Sequence, residues 1–188
     1  MSTSFKRTAA AGFTLIELLI VVIILAIISA IAIPQFTATT TDAKNAAAIT
    51  NLATVRNAIE LYRAQHGGDV NPGAKDSKGA TCTTGVPGGG AANSKEALIE
   101  QLTYASNAAG QTCSVAHGDF RYGPYLRQGI PADPFGQSND IDFKTTGDKI
   151  TPTHATGSGW LYDVKSGEFA LNKVAEDSDN TGSGEANP

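Results

Sequence analysis

The chain has 188 residues, 41% of them hydrophobic and 17% charged, with a formal net charge of -4. Its 14 basic residues are scattered without an aromatic-basic cluster, which gives no footprint for nucleic acid, and the length suits one modest domain rather than two. His66, His117 and His154 stand isolated at no metal-ligand spacing and read as solvent-facing or loop residues, and no serine sits in a nucleophile motif, so catalysis finds no support.

Residues 1–12 form a short leader carrying Lys6 and Arg7. From Phe13 to Ile33 an apolar run follows, broken by one ionisable side chain, Glu17. As a helix this run rises roughly 31 Å, the hydrocarbon thickness of a bilayer. It is longer than the core of a secretory signal and no A-x-A site follows it, so it reads as a retained transmembrane helix. The basic leader places its start on the cytoplasmic side and everything after Ile33 outside. An ionised carboxylate among lipid tails costs about 2 to 3 kcal/mol or more. Glu17 therefore has either a counter-charge or a proton, and the residues alone leave both open.

Pro34 removes one backbone donor and is expected to kink the helix without ending it. Ile49, Leu52, Val55, Ile59 and Tyr62 then recur at steps of three and four, with Asn51, Arg56, Asn57, Glu60 and Arg63 between them, which makes 34–66 an amphipathic half stopped by Gly67 and Gly68. From Gly67 to Asn93 the composition is that of a loop, and its GVPGGG stretch reads as flexible rather than as a phosphate cradle, since no Gly-Lys-Ser or Gly-Lys-Thr follows. Asn93 with Glu96 resembles a capping box, and Ala97, Leu98, Leu102 and Ala105 predict a short second helix toward Gly110. That helix either covers a sheet or meets a partner. Ile141 and Phe143, then Trp160, Leu161, Tyr162 and Val164, a turn at Lys165–Gly167, and Phe169, Leu171 and Val174 predict an antiparallel meander. Residues 67–174 thus form one α+β head whose sheet packs on the amphipathic half of the long helix, and 175–188 form an acidic flexible tail.

Gly12 followed by FTLIELLIVVIILAIISAIAIPQF resembles the amino-terminal signature of type IV pilins and of the pseudopilins of type II secretion. The shared features are a basic leader, Gly before Phe, Glu as the fifth residue of the cut chain, about twenty apolar residues, and then Pro. The resemblance implies a pilin-like fold, cleavage between Gly12 and Phe13 by a prepilin peptidase, and methylation of the new Phe13 amine. It also implies that Glu17 pairs with the amine of a neighbouring copy; losing one partner of such a buried pair costs about 3 to 5 kcal/mol, enough to select the docking register. The implied partners are further copies in a helical filament, an inner-membrane platform and a cytoplasmic assembly ATPase. The implied location is the bacterial inner membrane in a single pass, then a periplasmic or cell-surface filament.

Cys82 and Cys113 both fall on the outward side, where a lone pair of thiols is expected to form a disulfide worth roughly 3 to 4 kcal/mol; two free thiols are the alternative. Type IV pilins close their carboxy-terminal region with such a bond, whereas no cysteine follows Cys113 here. That departure, together with IPADPFG, which resembles the Asp-Pro-Trp-Gly element of major pseudopilins with Phe135 in place of Trp, leans toward a pseudopilin. A surface pilin serving adhesion, motility or DNA uptake, or a minor pilin-like binding subunit, remains the alternative. Because major pseudopilins hold calcium in this region, Asp133, Asp140 and Asp142, with Asp177 and Asp179, are calcium candidates, although no spacing matches a calcium loop. No other cofactor is expected.

Overall fold

A computed structural model describes residues 13–79, 81–152 and 157–173. The leader with Gly12, His154, Val174, the acidic tail with Asp177 and Asp179, and the side chain of Pro34 lie outside the described residues. The chain divides into two units after Ala43.

Helix α1, Leu15–Gln65, enters the second unit from the first and continues through Pro34. In the first unit every described residue from Phe13 to Ile31 is exposed. Just beyond Pro34 the sequence turns to threonines, poor helix formers on propensity. Their hydroxyls donate back to the carbonyls of the preceding turn, Thr37 to Ile33, Thr39 to Gln35, Thr40 to Phe36 and Thr41 to Thr37, at 2.7 to 3.2 Å. The polar run thus remains within the helical ladder.

In the second unit the buried stripe of α1 passes through Ala48, Leu52, Val55, Ile59 and Tyr62. Ile49, expected on that stripe, is 68% exposed, because the stripe begins at Ala48 and Ile49 lies about 100° around the helix from it. Between the apolar positions, two residues read as the wet face tie α1 to the head: Asn51 donates to the Ala132 carbonyl at 3.2 Å and Arg56 to that of Phe169 at 2.9 Å. Gly67 and Gly68 follow the helix with φ of 96° and 87°, the left-handed conformation that glycine adopts without strain and that ends a helix.

Helix α2 is Lys95–Thr103. Its cap is Ser94, whose Oγ accepts from the Ala97 N–H at 3.1 Å, rather than Asn93, which sits at φ 57° in the turn before it. The helix stops before Ala105, which enters strand β1, Ala105–Ser106, paired antiparallel with β2, Thr112–Cys113. This small ladder was not expected from sequence; two-residue strands carry no periodicity to read. Leu98 and Leu102 of α2 join Val55, Ile59 and Tyr62 in the main core, each worth about 1.5 to 3 kcal/mol on burial.

The GVPGGG stretch is not the loose loop its composition suggests. Glu100 projects from α2 and accepts the Gly89 and Gly90 N–H groups at 3.0 Å and the Ser77 hydroxyl, so the glycines cradle a carboxylate of their own chain. Side chains at Gly88 and Gly90 would strike Thr112 and the α2 backbone, which is why the loop is built of glycine there.

The second sheet contains β3, Ile141–Lys144, β4, Trp160–Asp163, and β5, Phe169–Leu171, in that order. The β4–β5 hairpin is antiparallel as expected, but β3 pairs parallel to β4, Ile141 opposite Trp160, so the sheet is mixed rather than a simple meander. The chain between Lys144 and Trp160 is long enough to cross back, which frees it from a tight antiparallel turn. Trp160, Tyr162 and Phe169 fill the core under α1, with the Trp160 and Phe169 rings stacked at 5.2 Å.

Asp163, fully buried at the end of β4, ties together the turns that follow β3 and β4 at one end of this sheet. Oδ1 accepts the N–H groups of Lys165 and Ser166 in the hairpin turn, and Oδ2 accepts those of Thr146 and Gly147 after β3, at 2.8 to 3.0 Å. Burial pushes its carboxyl up, but the N–H groups of Ser166, Gly147 and Lys165 and the Thr146 hydroxyl outweigh this and hold it down to about 2. An unfolded aspartate titrates near 3.9, so this group stabilises the fold fully above about pH 4, and the contribution fades as pH falls through 2. Urea unfolding of the detergent-solubilised chain is expected to show Asp163→Asn about 2 kcal/mol less stable than wild type at pH 7, with the gap closing toward pH 2; a gap independent of pH contradicts this role.

Candidate assembly helix and the polar groups of the head

The amino end of α1 is built by its own sequence. Thr14 precedes the first helical residue and Glu17 occupies the third helical position. The Thr14 N–H and hydroxyl donate to Glu17 Oε2 at 2.9 and 2.7 Å, while the Glu17 N–H donates to Thr14 Oγ1 at 3.3 Å. This is a reciprocal capping box, legible in T-L-I-E beside the intermolecular role expected of Glu17. The cap holds the carboxylate at the positive end of the helix dipole, close in sequence to Phe13, which is 80% exposed. From Leu15 onward the helix is long and apolar enough to cross a membrane, by length and composition, and none of its most apolar stretch is buried.

In the head the three candidate calcium acids have separate duties. Asp133 Oδ1 accepts the N–H groups of Phe135 and Gly136 at 2.9 and 2.8 Å and Oδ2 that of Ser138 at 3.1 Å, which makes the acid of A-D-P-F-G the cap of its own turn. Asp140 pairs with Lys95 at 2.6 Å, and the hydrogen bond from that ammonium holds its carboxyl below the usual range. Asp142 faces Lys144 at 3.8 Å. Among the described residues no three His, Cys, Asp or Glu side chains are placed to hold a metal ion. The rest of IPADPFG is equally structural: the Trp160 indole N–H donates to the Pro131 carbonyl at 2.8 Å, and the Lys173 ammonium lies 3.5 Å from the centre of the Phe135 ring.

Of the histidines, His66 departs from expectation, while His117 stays in a loop. His66 is buried rather than solvent-facing: its ring stacks on Tyr62 at 3.9 Å, Nδ1 lies 2.8 Å from the Tyr62 carbonyl and Nε2 3.0 Å from that of Asn107. It closes the end of α1 onto the turn after β1, a role that its position beside the terminating glycines does not advertise. His117 packs against Phe120 near Cys113. Cys82 and Cys113 are joined in a disulfide, their Cα atoms 5.4 Å apart, which fastens the loop that carries Cys82 to β2.

Residues 7–33, which include Arg7 of the leader, Gly12, Phe13 and Glu17, match the prokaryotic N-terminal methylation motif. The chain is pilin-like. Over 146 residues it is 27% identical to the type II secretion system core protein G of Vibrio cholerae serotype O1, a match covering 78% of either chain. No solved structure matches it. A pilin-like chain is a structural subunit rather than an enzyme.

Because Asp133, Asp140 and Asp142 are each engaged elsewhere, calcium is expected to leave the stability of this pilin-like head unchanged. Thermal unfolding in millimolar calcium and in chelator should give the same midpoint; a rise of several degrees with calcium contradicts that assignment of Asp133, Asp140 and Asp142.

Proposed function

We propose that this chain is a structural subunit of a type IV pilus-like filament, and that the filament is the pseudopilus of a type II secretion system, growing by addition of further copies to drive protein export. The observation that carries the reading is the exposed apolar half of α1. Sixteen large hydrophobic side chains between Phe13 and Phe36 are 46% to 83% exposed. Leaving them in water costs on the order of 10 kcal/mol or more, as much as the whole stability of a typical domain. The segment therefore needs a lipid bilayer before assembly and the same segment of other copies after it.

Cleavage after Gly12 would give Phe13 a positive amine next to the Thr14–Glu17 cap. An incoming copy whose amine meets the Glu17 carboxylate of its neighbour would neutralise both charges in an apolar surrounding, and a wrong register would leave both unpaired. The amino-terminal motif supports a methylated terminus, with a prepilin peptidase, an inner-membrane platform and a cytoplasmic ATPase as the partners of this reading. The similarity to core protein G and the absence of a cysteine after Cys113 favour secretion over a surface pilus.

Deleting the gene is expected to stop export of secreted proteins and to leave surface pili in place. The wild-type gene should restore export; Glu17→Ala should insert in the membrane at the wild-type level yet fail to assemble or to restore export. Loss of surface pili with secretion intact would overturn the secretion reading, and full restoration by Glu17→Ala would remove the assembly role of Glu17.

A further inference from the structure

The two sulfurs of the disulfide sit in unlike surroundings. Cys113 lies in β2, is fully buried, and packs with Ala105 and Phe120. Cys82 lies in a half-buried loop position flanked by exposed Thr81, Thr83 and Thr84. The His117 ring stacks on Phe120 with centroids 5.3 Å apart and reaches only one of the two sulfurs, its Nδ1 lying 3.6 Å from Cys113 Sγ.

The ring's other contacts assign its tautomer. Nε2 accepts the Thr83 N–H at 3.4 Å, and Nδ1 lies 3.0 Å from the Val115 carbonyl, which can only accept. The proton is therefore on Nδ1, and that N–H points between the Val115 oxygen and Cys113 Sγ. A hydrogen-bond donor beside a sulfur stabilises its thiolate, the form that attacks or leaves in disulfide exchange, while access decides which sulfur an outside reagent reaches first.

We propose that the bond has a fixed chemical polarity: Cys82 is the sulfur that exchanges with an external dithiol–disulfide partner, and Cys113, held by His117, is the resolving thiolate. When the bond forms, the Cys82 thiolate attacks a disulfide sulfur of the oxidised partner. The partner's S–S bond breaks, its electron pair leaves on the partner's second sulfur, and a mixed disulfide joins Cys82 to the partner. The Cys113 thiol gives its proton to solvent, and its thiolate, hydrogen-bonded by His117 Nδ1–H, attacks Cys82 Sγ and expels the partner's remaining sulfur as a thiolate. Two electrons pass from the two cysteines to the partner, which ends as a dithiol. This polarity is independent of whether the filament serves secretion or a pilus.

The test uses the full chain, reduced in detergent, with oxidised glutathione as the partner. Acid quenching, alkylation and peptide mapping should find the first glutathione adduct on Cys82. Closure of that adduct by Cys113 should slow about tenfold at pH 7 in His117→Phe, which keeps the stacking on Phe120, and the deficit should vanish near pH 9, where the thiol ionises unaided. His117→Gln, which keeps an N–H donor, should close within about threefold of wild type. A first adduct on Cys113, or closure in His117→Phe at the wild-type rate at pH 7, overturns the assignment. So does a deficit that is the same at pH 7 and pH 9, the mark of a packing effect alone.

Discussion

An apolar helix that its own chain does not cover governs the rest of this molecule. The half of α1 around Leu18–Ile31 has no buried residue, whereas the half around Val55–Tyr62 is sealed under a sheet and a second helix. The head meets its own needs: it has a main hydrophobic core and two smaller buried clusters, a disulfide, and buried acids that accept backbone N–H groups. Among the described residues, the first half of α1 is held by its helical hydrogen bonds and the cap at Thr14 and Glu17. Such a helix is stable where water is absent, in lipid or among like helices, and there its backbone is satisfied internally.

Within that constraint Glu17 has two successive partners open to it. Thr14 supplies the first from the same chain, so the carboxylate is hydrogen-bonded as soon as the helix forms and does not enter the apolar region bare. An amine from another copy would supply the second, and being charged it makes the stronger bond. In the proposed assembly the local cap would lower the burden of carrying an acid in lipid and leave it free to meet a neighbour's amine.

Much of this was legible in the sequence because it rests on periodicity and on one specific motif. The apolar run, the stripe at Leu52, Val55, Ile59 and Tyr62, the β4–β5 hairpin and the cysteine pair all follow from spacing or composition. What escaped were features decided by tertiary contact. The parallel pairing of β3 depends on how the chain returns after Lys144, which no local pattern encodes. The second-helix cap moved from Asn93 to Ser94 because Asn93 was needed in the turn, where its N–H donates to the Gly73 carbonyl at 2.8 Å. Glu100 and Asp163 look like ordinary surface acids in the sequence, yet each holds two loops. His66 looks like a helix-end histidine until Asn107 closes over it. Asp133, Asp140 and Asp142, near one another in sequence, are each engaged by a different turn or lysine, which their spacing does not reveal.

The claim that most of the account depends on is that the first half of α1 is covered in both of its working states. Hydrogen–deuterium exchange on residues 15–33, measured in membrane vesicles and in sedimented filaments free of lipid, tests it most directly. The account predicts protection in both preparations comparable to that of residues 55–62 in the head. Exchange of residues 15–33 in the filaments at the rate of an isolated helical peptide would contradict it.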